Sequence, residues 1–384
     1  MQQNSTTAYT ARRPFSGALV RSDRLTPPGA PKDTRHHVLS LAGSGIAYQP
    51  GDALGIWPAN PPALVDAILA RLGASGDEPV TAPDGSAVAF GEALLRRFEL
   101  TNVSRRLLDA AHAQGPTAFS PLLEKGHEEA LKLYLHQHDQ VHDVLDVLED
   151  APAARFAPQE FVPLLRPMQP RLYSIASSLR DHPEEVHLLV VSLSYMTRGR
   201  LRLGVGSTFL NERLPAGEAA PIYTQDSQRH FGMPADPSTP MIMIGPGTGV
   251  APFRAFLEDR AATGATGRNW LFFGDQSRAW GFYYQSELTA WEARGLLRLD
   301  LAFSRDQPNK IYVQHRMREH AKDLYAWLEE GAEVFICGDK ARMATDVQNM
   351  LVDIVRSEGG RTQEQAEAYV ASMRKTRRLK LDVY

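Results

Sequence analysis

The sequence predicts an α+β multidomain protein: an antiparallel β-barrel carrying a helical insert, followed by an α/β domain built on a parallel sheet. Three observations predict it. Short strand-like segments broken by turn residues occupy residues 12–58 and 165–232, the texture of an antiparallel barrel or sandwich. Residues 59–164, between them, change to helical periodicity. From residue 235 to 384 apolar strands alternate with amphipathic helices, which argues for parallel strands covered by helices on both faces.

Taken in order, residues 37–41, 48–52 and 53–58 read as the first short strands. Residues 62–72 repeat apolar side chains at helical spacing, and Gly73 ends that helix. Residues 91–98 and 128–135 are predicted helices as well. Residues 186–195, rich in Val and Leu, read as one strand, and residues 235–240 as a linker. The second half is predicted to place strands at 241–245, 270–274, 297–304 and 333–338. Its helices are expected to start near Pro252, Tyr284, Val313, Ala341 and Gln363.

Composition narrows the function classes. The chain has 384 residues, 43% apolar and 23% charged, which excludes a collagen-like, coiled-coil or wholly disordered protein. The formal net charge of −3 offers no global attraction to nucleic acid or an anionic membrane. Cys337 is the single cysteine, so an intrachain disulfide and a four-cysteine iron–sulfur or zinc site are excluded. One thiol fits a reducing compartment, most simply the cytoplasm. The N-terminus lacks the apolar core of a signal peptide. Apolar runs such as 188–193 and 241–244 are strand-sized, far from the roughly 20 residues of a membrane span.

Four segments carry chemistry. Met241-Ile-Met-Ile-Gly-Pro-Gly-Thr-Gly-Val-Ala-Pro252 is a buried strand, a glycine turn and a helix start. Glycines let backbone approach a phosphate at a helix N-terminus; the spacing is not G-x-G-x-x-G, and a ligand-free tight turn reads equally well. Ser304-Arg305 follows a strand, and Lys310-Ile-Tyr-Val-Gln314 follows within a loop. A guanidinium, an ammonium, a hydroxyl and an amide there suit a 2′-phosphate, against the bland reading of a solvated turn. Cys337, in Phe335-Ile-Cys-Gly-Asp339, reads as a small core residue or as a group facing a reacting carbon. His136, His138 and His142 have chelating spacing but read better as a solvated helix face, and no metal site is expected. Ser207, in Gly204-Val-Gly-Ser-Thr208, lies outside the frame of a hydrolase elbow.

With Arg171-Leu-Tyr-Ser-Ile-Ala-Ser-Ser178, these segments point to a family. From about Arg12 to Tyr384 the chain resembles the FAD- and NADPH-binding half of the diflavin reductases, within the ferredoxin–NADP reductase superfamily, and in particular their sulfite reductase branch. The resemblance rests on Gly51-Asp52, Arg171-x-Tyr-Ser174, Gly204-Val-Gly-Ser207, Gly245-Pro-Gly-Thr-Gly249, Ser304-Arg305, Cys337-Gly-Asp339 and the terminal Leu-Asp-Val-Tyr384, in that order.

The resemblance implies the following roles. Arg171 would pair with the FAD pyrophosphate, Leu172 and Tyr173 would lie along the ring with Tyr173 stacked on one face, and Ser174 would sit near N5. Gly204, Val205, Gly206 and Ser207 would hold the pyrophosphate. Tyr195, the backbone of Leu189, Val190 and Val191, and Thr101 would meet the rest of the FAD. Thr248 would touch NADPH; Ser304, Arg305, Lys310, Tyr312 and Gln314 would form its 2′-phosphate side, and Ile311, Val313 and Asp346 would also belong to the NADP site. Tyr384 would cover the second flavin face, and Ser174, Cys337, Asp382 and Tyr384 would be the catalytic set. The implied activity is NADPH-dependent reduction of a partner redox protein through FAD. The partner would be a sulfite reductase haemoprotein or a flavodoxin-like protein, the alternative being a ferredoxin– or flavodoxin–NADP reductase. The basic stretch 374–380, next to the implied flavin site, is expected to steer an acidic electron-transfer partner rather than be a merely solvated face. Diflavin reductases carry an FMN-binding domain ahead of this region. With about a dozen residues before the first strand, that shuttle is expected on a separate protein, unless a partner takes electrons directly or the chain is a fragment.

Overall fold

The computed structural model describes residues 9–136 and 142–384. Up to residue 225 the principal strands are β1 (Phe15–Arg24), β2 (Thr34–Ser40), β3 (Ala53–Ile56), β4 (Arg171–Ser174), β5 (Glu185–Val191), β6 (Ser194–Thr197), β7 (Arg200–Leu203) and β8 (Ala219–Gln225). Six of them form one sheet in the order β4-β3-β8-β1-β2-β5. The long β1 serves two antiparallel neighbours. Phe15–Ala18 pairs with β8, and Leu19–Arg24 pairs with β2, with an irregularity between Leu19 and Arg21. A bulge of this kind bends a strand and re-aims its ladder. An antiparallel bridge between Ile175 and Leu188 joins the end of β4 to β5, so the two edge strands meet and the sheet closes into a barrel.

Two details differ from the sequence expectation. Residues 48–52 form a turn rather than a strand. Gly51 has φ +100°, and a Cβ there would lie 2.5 Å from the Phe231 carbonyl oxygen. Asp52, nearly buried, accepts from the amides of Gln49 and Ser227 and from Gln228 Nε2. The Gly51-Asp52 motif is therefore a structural latch. Residues 186–195 are two strands, because Leu193 bonds elsewhere: its carbonyl accepts from Gly204 N and its amide donates to Ser207 Oγ.

The chain divides into two units. One contains Ile56–Arg171 and Ser192–Leu214. It holds α1 (Pro62–Leu72), α2 (Phe90–Arg96), α3 (Arg105–His112), α4 (Glu128–His136) and α5 (Val144–Asp150), with the β6–β7 ribbon. Phe90, Phe161, Leu94, Leu107, Leu108 and Leu148 centre its core. The sequence's histidine cluster falls here. His138 and the side chain of His136 lie outside the described residues. His142 stacks on Tyr134 and its Nδ1 accepts from Arg198.

The other unit contains the chain through Gly55, Leu172–Val191 and Pro215–Tyr384. It joins most of the barrel to a five-stranded sheet of β9 (Met241–Ile244), β10 (Asn269–Asp275), β11 (Arg298–Phe303), β12 (Glu333–Gly338) and β13 (Leu379–Val383). Their order is β11-β10-β9-β12-β13, and every pairing is parallel. The central strands β9, β10 and β12 are buried on both faces and read as nearly continuous apolar runs, whereas the edge strands β11 and β13 carry Arg298, Asp300, Lys380 and Asp382. Ile242, Phe272, Val334 and Ile336 pack against α8 (Val313–Glu319), α9 (Ala321–Glu329), α10 (Met343–Glu358) and α11 (Gln363–Lys375). On the opposite face Met243, Phe273, Phe335 and Cys337 pack with α6 (Ala251–Thr263), α7 (Gln285–Ala293) and the barrel residues Ala176, Leu189 and Phe231.

Strand β13 takes two cations, Arg378 and Lys380, out of the basic stretch 374–380. Lys380 is opposite Phe335 in the ladder, and its Nζ reaches Glu333 Oε2 (2.7 Å) and the Gly232 carbonyl (2.6 Å). The Arg378 guanidinium donates to the carbonyls of Leu328 and Ala332, and Arg374 donates to Gln348. Lys380 and Arg378 thus fasten the last strand, whereas Arg374, Lys375 and Arg377 stay exposed. Among the described residues no helix is long and apolar enough to cross a membrane.

Candidate active site

Strand pairing assembles the polar centre. Cys337 on β12 and Asp382 on β13 are register partners, and Ser174 ends β4. Ser174 Oγ donates to Asp382 Oδ2 at 2.6 Å, and the Cys337 thiol approaches the same oxygen at 3.7 Å. Cys337 is fully buried. Burial first, then the Asp382 charge, raises its pKa well above the usual thiol value. It stays protonated, a weak donor rather than a nucleophile. It is thus both a core residue and a neighbour of the centre.

Tyr384 is 64% exposed and hangs from the end of β13. Its amide donates to the Gly338 carbonyl, and its hydroxyl is 3.1 Å from Thr248 Oγ1 in the glycine turn. On β4, Tyr173 is half-buried and Leu172 exposed.

The glycine turn divides its labour. A Cβ on Gly245 would meet the Gly249 carbonyl oxygen at 2.4 Å, and one on Gly249 would meet the Cys337 carbonyl oxygen at 2.2 Å. These two glycines let the turn pack onto itself and onto β12. Gly247 differs: its φ is +60°, and the nearest atom to its Cβ position is Asp275 Oδ2 at 3.8 Å. Room for a ligand is at Gly247, from which a short turn leads into α6 with Pro252 in its first turn.

Beside this turn a cleft of about 400 Å³ opens at the carboxyl ends of the parallel strands, where such sheets bind ligands. Ser304, Tyr312, Val313, Gln314 and Asp346 all line it, and Gln314 Nε2 donates to Asp346 Oδ2 at 3.3 Å. The side chains of Arg305 and Lys310 are exposed outside that lining, although the Arg305 amide donates to the Gln276 carbonyl. Ile311 packs against the sheet core. Sequence reasoning missed Lys32 and Arg342, which also line the cleft. Lys32 comes from the β1–β2 loop, 243 positions before the cleft residue it bonds, so no local motif signals it.

In the other unit, Tyr195 faces Arg202 across the β6–β7 ribbon. A pocket of about 220 Å³ is lined by Thr101, Tyr195, Leu201, Leu203, Arg200, Arg202 and Asp143, among others. Arg200 and Arg202 are fixed by Asp143 and the fully buried Asp146. Thr101 Oγ1 is buried with no hydrogen-bond partner. Gly204 caps the turn Val205–Thr208, and a Cβ there would collide with Ser207 Oγ at 2.8 Å. Arg171 lays its fork on the buried Glu99 (2.8 and 3.0 Å) and donates to the Gln169 carbonyl. That uses three of five N–H donors and leaves two for an anion. Leu189 and Val190 are buried on β5, so their side chains belong to the core.

An orphaned buried hydroxyl beside a tyrosine, and an open left-handed glycine at a strand-end cleft, are features that nucleotide groups complete. Comparison with known proteins agrees. Residues 8–209 match the FAD binding domain family and residues 243–349 the oxidoreductase NAD-binding domain family. The chain is 45% identical over its whole length to the sulfite reductase (NADPH) flavoprotein alpha-component of Bacillus subtilis, of which it covers 63%. It is 41% identical to that of Aliivibrio fischeri and 42% identical to that of Vibrio cholerae, covering 62% and 61% of them. It thus spans about three-fifths of the length of these curated relatives. With a barrel, a strand-end cleft and both family matches in one order along the sequence, the chain belongs to the FAD binding domain family, its barrel half followed by an oxidoreductase NAD-binding domain.

Proposed function

We propose that this chain is the NADPH- and FAD-binding part of a flavoprotein reductase that passes electrons from NADPH to a partner redox protein, and that the partner is the haemoprotein of a cytoplasmic sulfite reductase. The observation that carries the reading is the Ser174–Asp382–Cys337 set beside Thr248 and Tyr384. That its relatives are flavoprotein components of sulfite reductase supplies the acceptor class. We take the barrel as residues 12–58 and 165–232, the helical insert as 59–164 and the NADP-binding domain as 235–384.

When bound, FAD accepts a hydride from NADPH and releases electrons one at a time. Arg171, oriented by Glu99, would hold its pyrophosphate with the amides of Val205, Gly206 and Ser207. Thr101 Oγ1 would find its missing partner there, and Tyr195 would supply an aromatic wall. Tyr173 and Tyr384 would flank the ring, Tyr384 swinging aside for the nicotinamide. Ser174 would stand near ring N5 with its single hydroxyl proton resting on Asp382 Oδ2, and rotation of the hydroxyl off that carboxylate would present the proton to N5. Cys337, kept protonated, would position the reacting carbon. Ser304, Arg305, Lys310, Tyr312 and Gln314 would hold the 2′-phosphate, with Asp346 orienting Gln314.

The test mixes the purified chain and NADPH with a sulfite reductase haemoprotein, with and without a flavodoxin. NADPH-dependent reduction of the haemoprotein, direct or shuttled, is the expected result. Reduction of flavodoxin with no transfer to the haemoprotein assigns the chain instead as a flavodoxin–NADP reductase.

A further inference from the structure

The cleft holds a cation that none of the expected site residues supplies. We infer that Lys32 binds the pyrophosphate of the incoming nicotinamide nucleotide, and that Asp275 is the positioning residue that keeps it ready. The inference rests on the functional reading above.

Lys32 Nζ lies 3.3 Å from Asp275 Oδ1, and both residues line the cleft. The Lys32 side chain is 37% exposed, whereas that of Asp275 is 3% exposed. A buried carboxylate facing a phosphate site repels the ligand unless a cation stands between them. Asp275 is also incompletely bonded. Oδ1 takes Lys32 and the Gln276 amide, while Oδ2 is buried with no hydrogen-bond partner. That orphaned oxygen is the atom nearest the open side of Gly247. The ammonium is therefore parked one carboxylate away from the only glycine of the turn with room for a phosphate. Its four-carbon stem and compact charge let it exchange Asp275 for a phosphate oxygen without moving the backbone.

Position within the cleft decides which phosphate. Lys32 works beside the β9–α6 turn, while Ser304 and Arg305 follow β11. The pyrophosphate is common to NADPH and NADH; the 2′-phosphate belongs to NADPH alone. Loss of Lys32 should therefore weaken both nucleotides alike, unlike loss of a 2′-phosphate ligand.

The test measures KM for NADPH and NADH with ferricyanide as acceptor, and calorimetric binding of NADP⁺, for the wild type, K32Q, K32R, R305A and the double variant K32Q/D275N. K32Q should raise both KM values about ten-fold, the loss of one charge-assisted bond, and K32R should recover most of it. R305A should raise KM for NADPH while leaving that for NADH nearly as it was. K32Q/D275N should recover only the part of the loss that comes from Asp275 repulsion and stay several-fold weaker than the wild type, since the phosphate contact is still missing. Unchanged KM values in K32Q, or full recovery in the double variant, overturn the assignment, the latter showing that Lys32 only neutralises Asp275. A wild-type protein that NADPH fails to reduce overturns the functional reading instead, and the NADP⁺ titrations still decide the role of Lys32.

Discussion

Asp382 is the residue on which the polar centre turns. One of its oxygens takes both Ser174 and Cys337, so a single change tests the arrangement. Asp382→Asn keeps shape but removes the charge and one strong acceptor. NADPH-driven flavin reduction, followed by stopped flow, should slow about 100-fold, the usual scale of a lost proton-handling group, with flavin content retained. An unchanged rate would remove Asp382 from the chemistry. At this scale the sequence was informative where family motifs name a residue: Ser174, Cys337 and Asp382 converge although 208 positions separate the first from the last. It was silent where the partner is distant and motif-free. Glu99 under Arg171 and Lys32 over Asp275 are side chains brought in by folding. The glycine turn left two readings open for a related reason: Gly245 and Gly249 are required by neighbouring backbone that no sequence window shows.

Among elements, β2 and β5 bury two histidines whose rings meet at 4.9 Å, His36 and His187. Burial is the main cause that lowers His36 to about 2 and His187 to about 4 from 6.5. Arg254 and neighbouring histidines push further down, while Glu185 partly restores His187. Both are neutral in the fold at neutral pH, whereas the unfolded chain takes up protons below pH 6.5. The unfolded state then binds more protons, so this stability is complete above pH 6.5 and is lost as pH falls toward 4, and further toward 2 for His36. The urea midpoint should drop over pH 6.5 to 4, and His187→Gln should flatten that slope. A midpoint independent of pH there would contradict the burial account. Elements with one strong periodicity, such as α1 and β9 to β12, are legible in the sequence. Strand β13 is not: its Lys380, and Arg378 just before it, look like surface charge, and only the bonds to Glu333 and backbone carbonyls tie them to the sheet.

For the whole molecule, the legible part is the alternation of textures, because barrel, insert and parallel sheet each impose a different period on the chain. What periodicity leaves open is which strand ends meet, since closure through Ile175 and Leu188 and the β12–β13 pairing are long-range events. The account stands on those meetings producing a flavin site that NADPH can reach. Anaerobic titration of the purified, FAD-loaded protein with NADPH, read in the visible flavin bands, tests this most directly. The account predicts complete bleaching at one NADPH per flavin, with NADH far less effective. A bound flavin that keeps its oxidised spectrum under excess NADPH would contradict it.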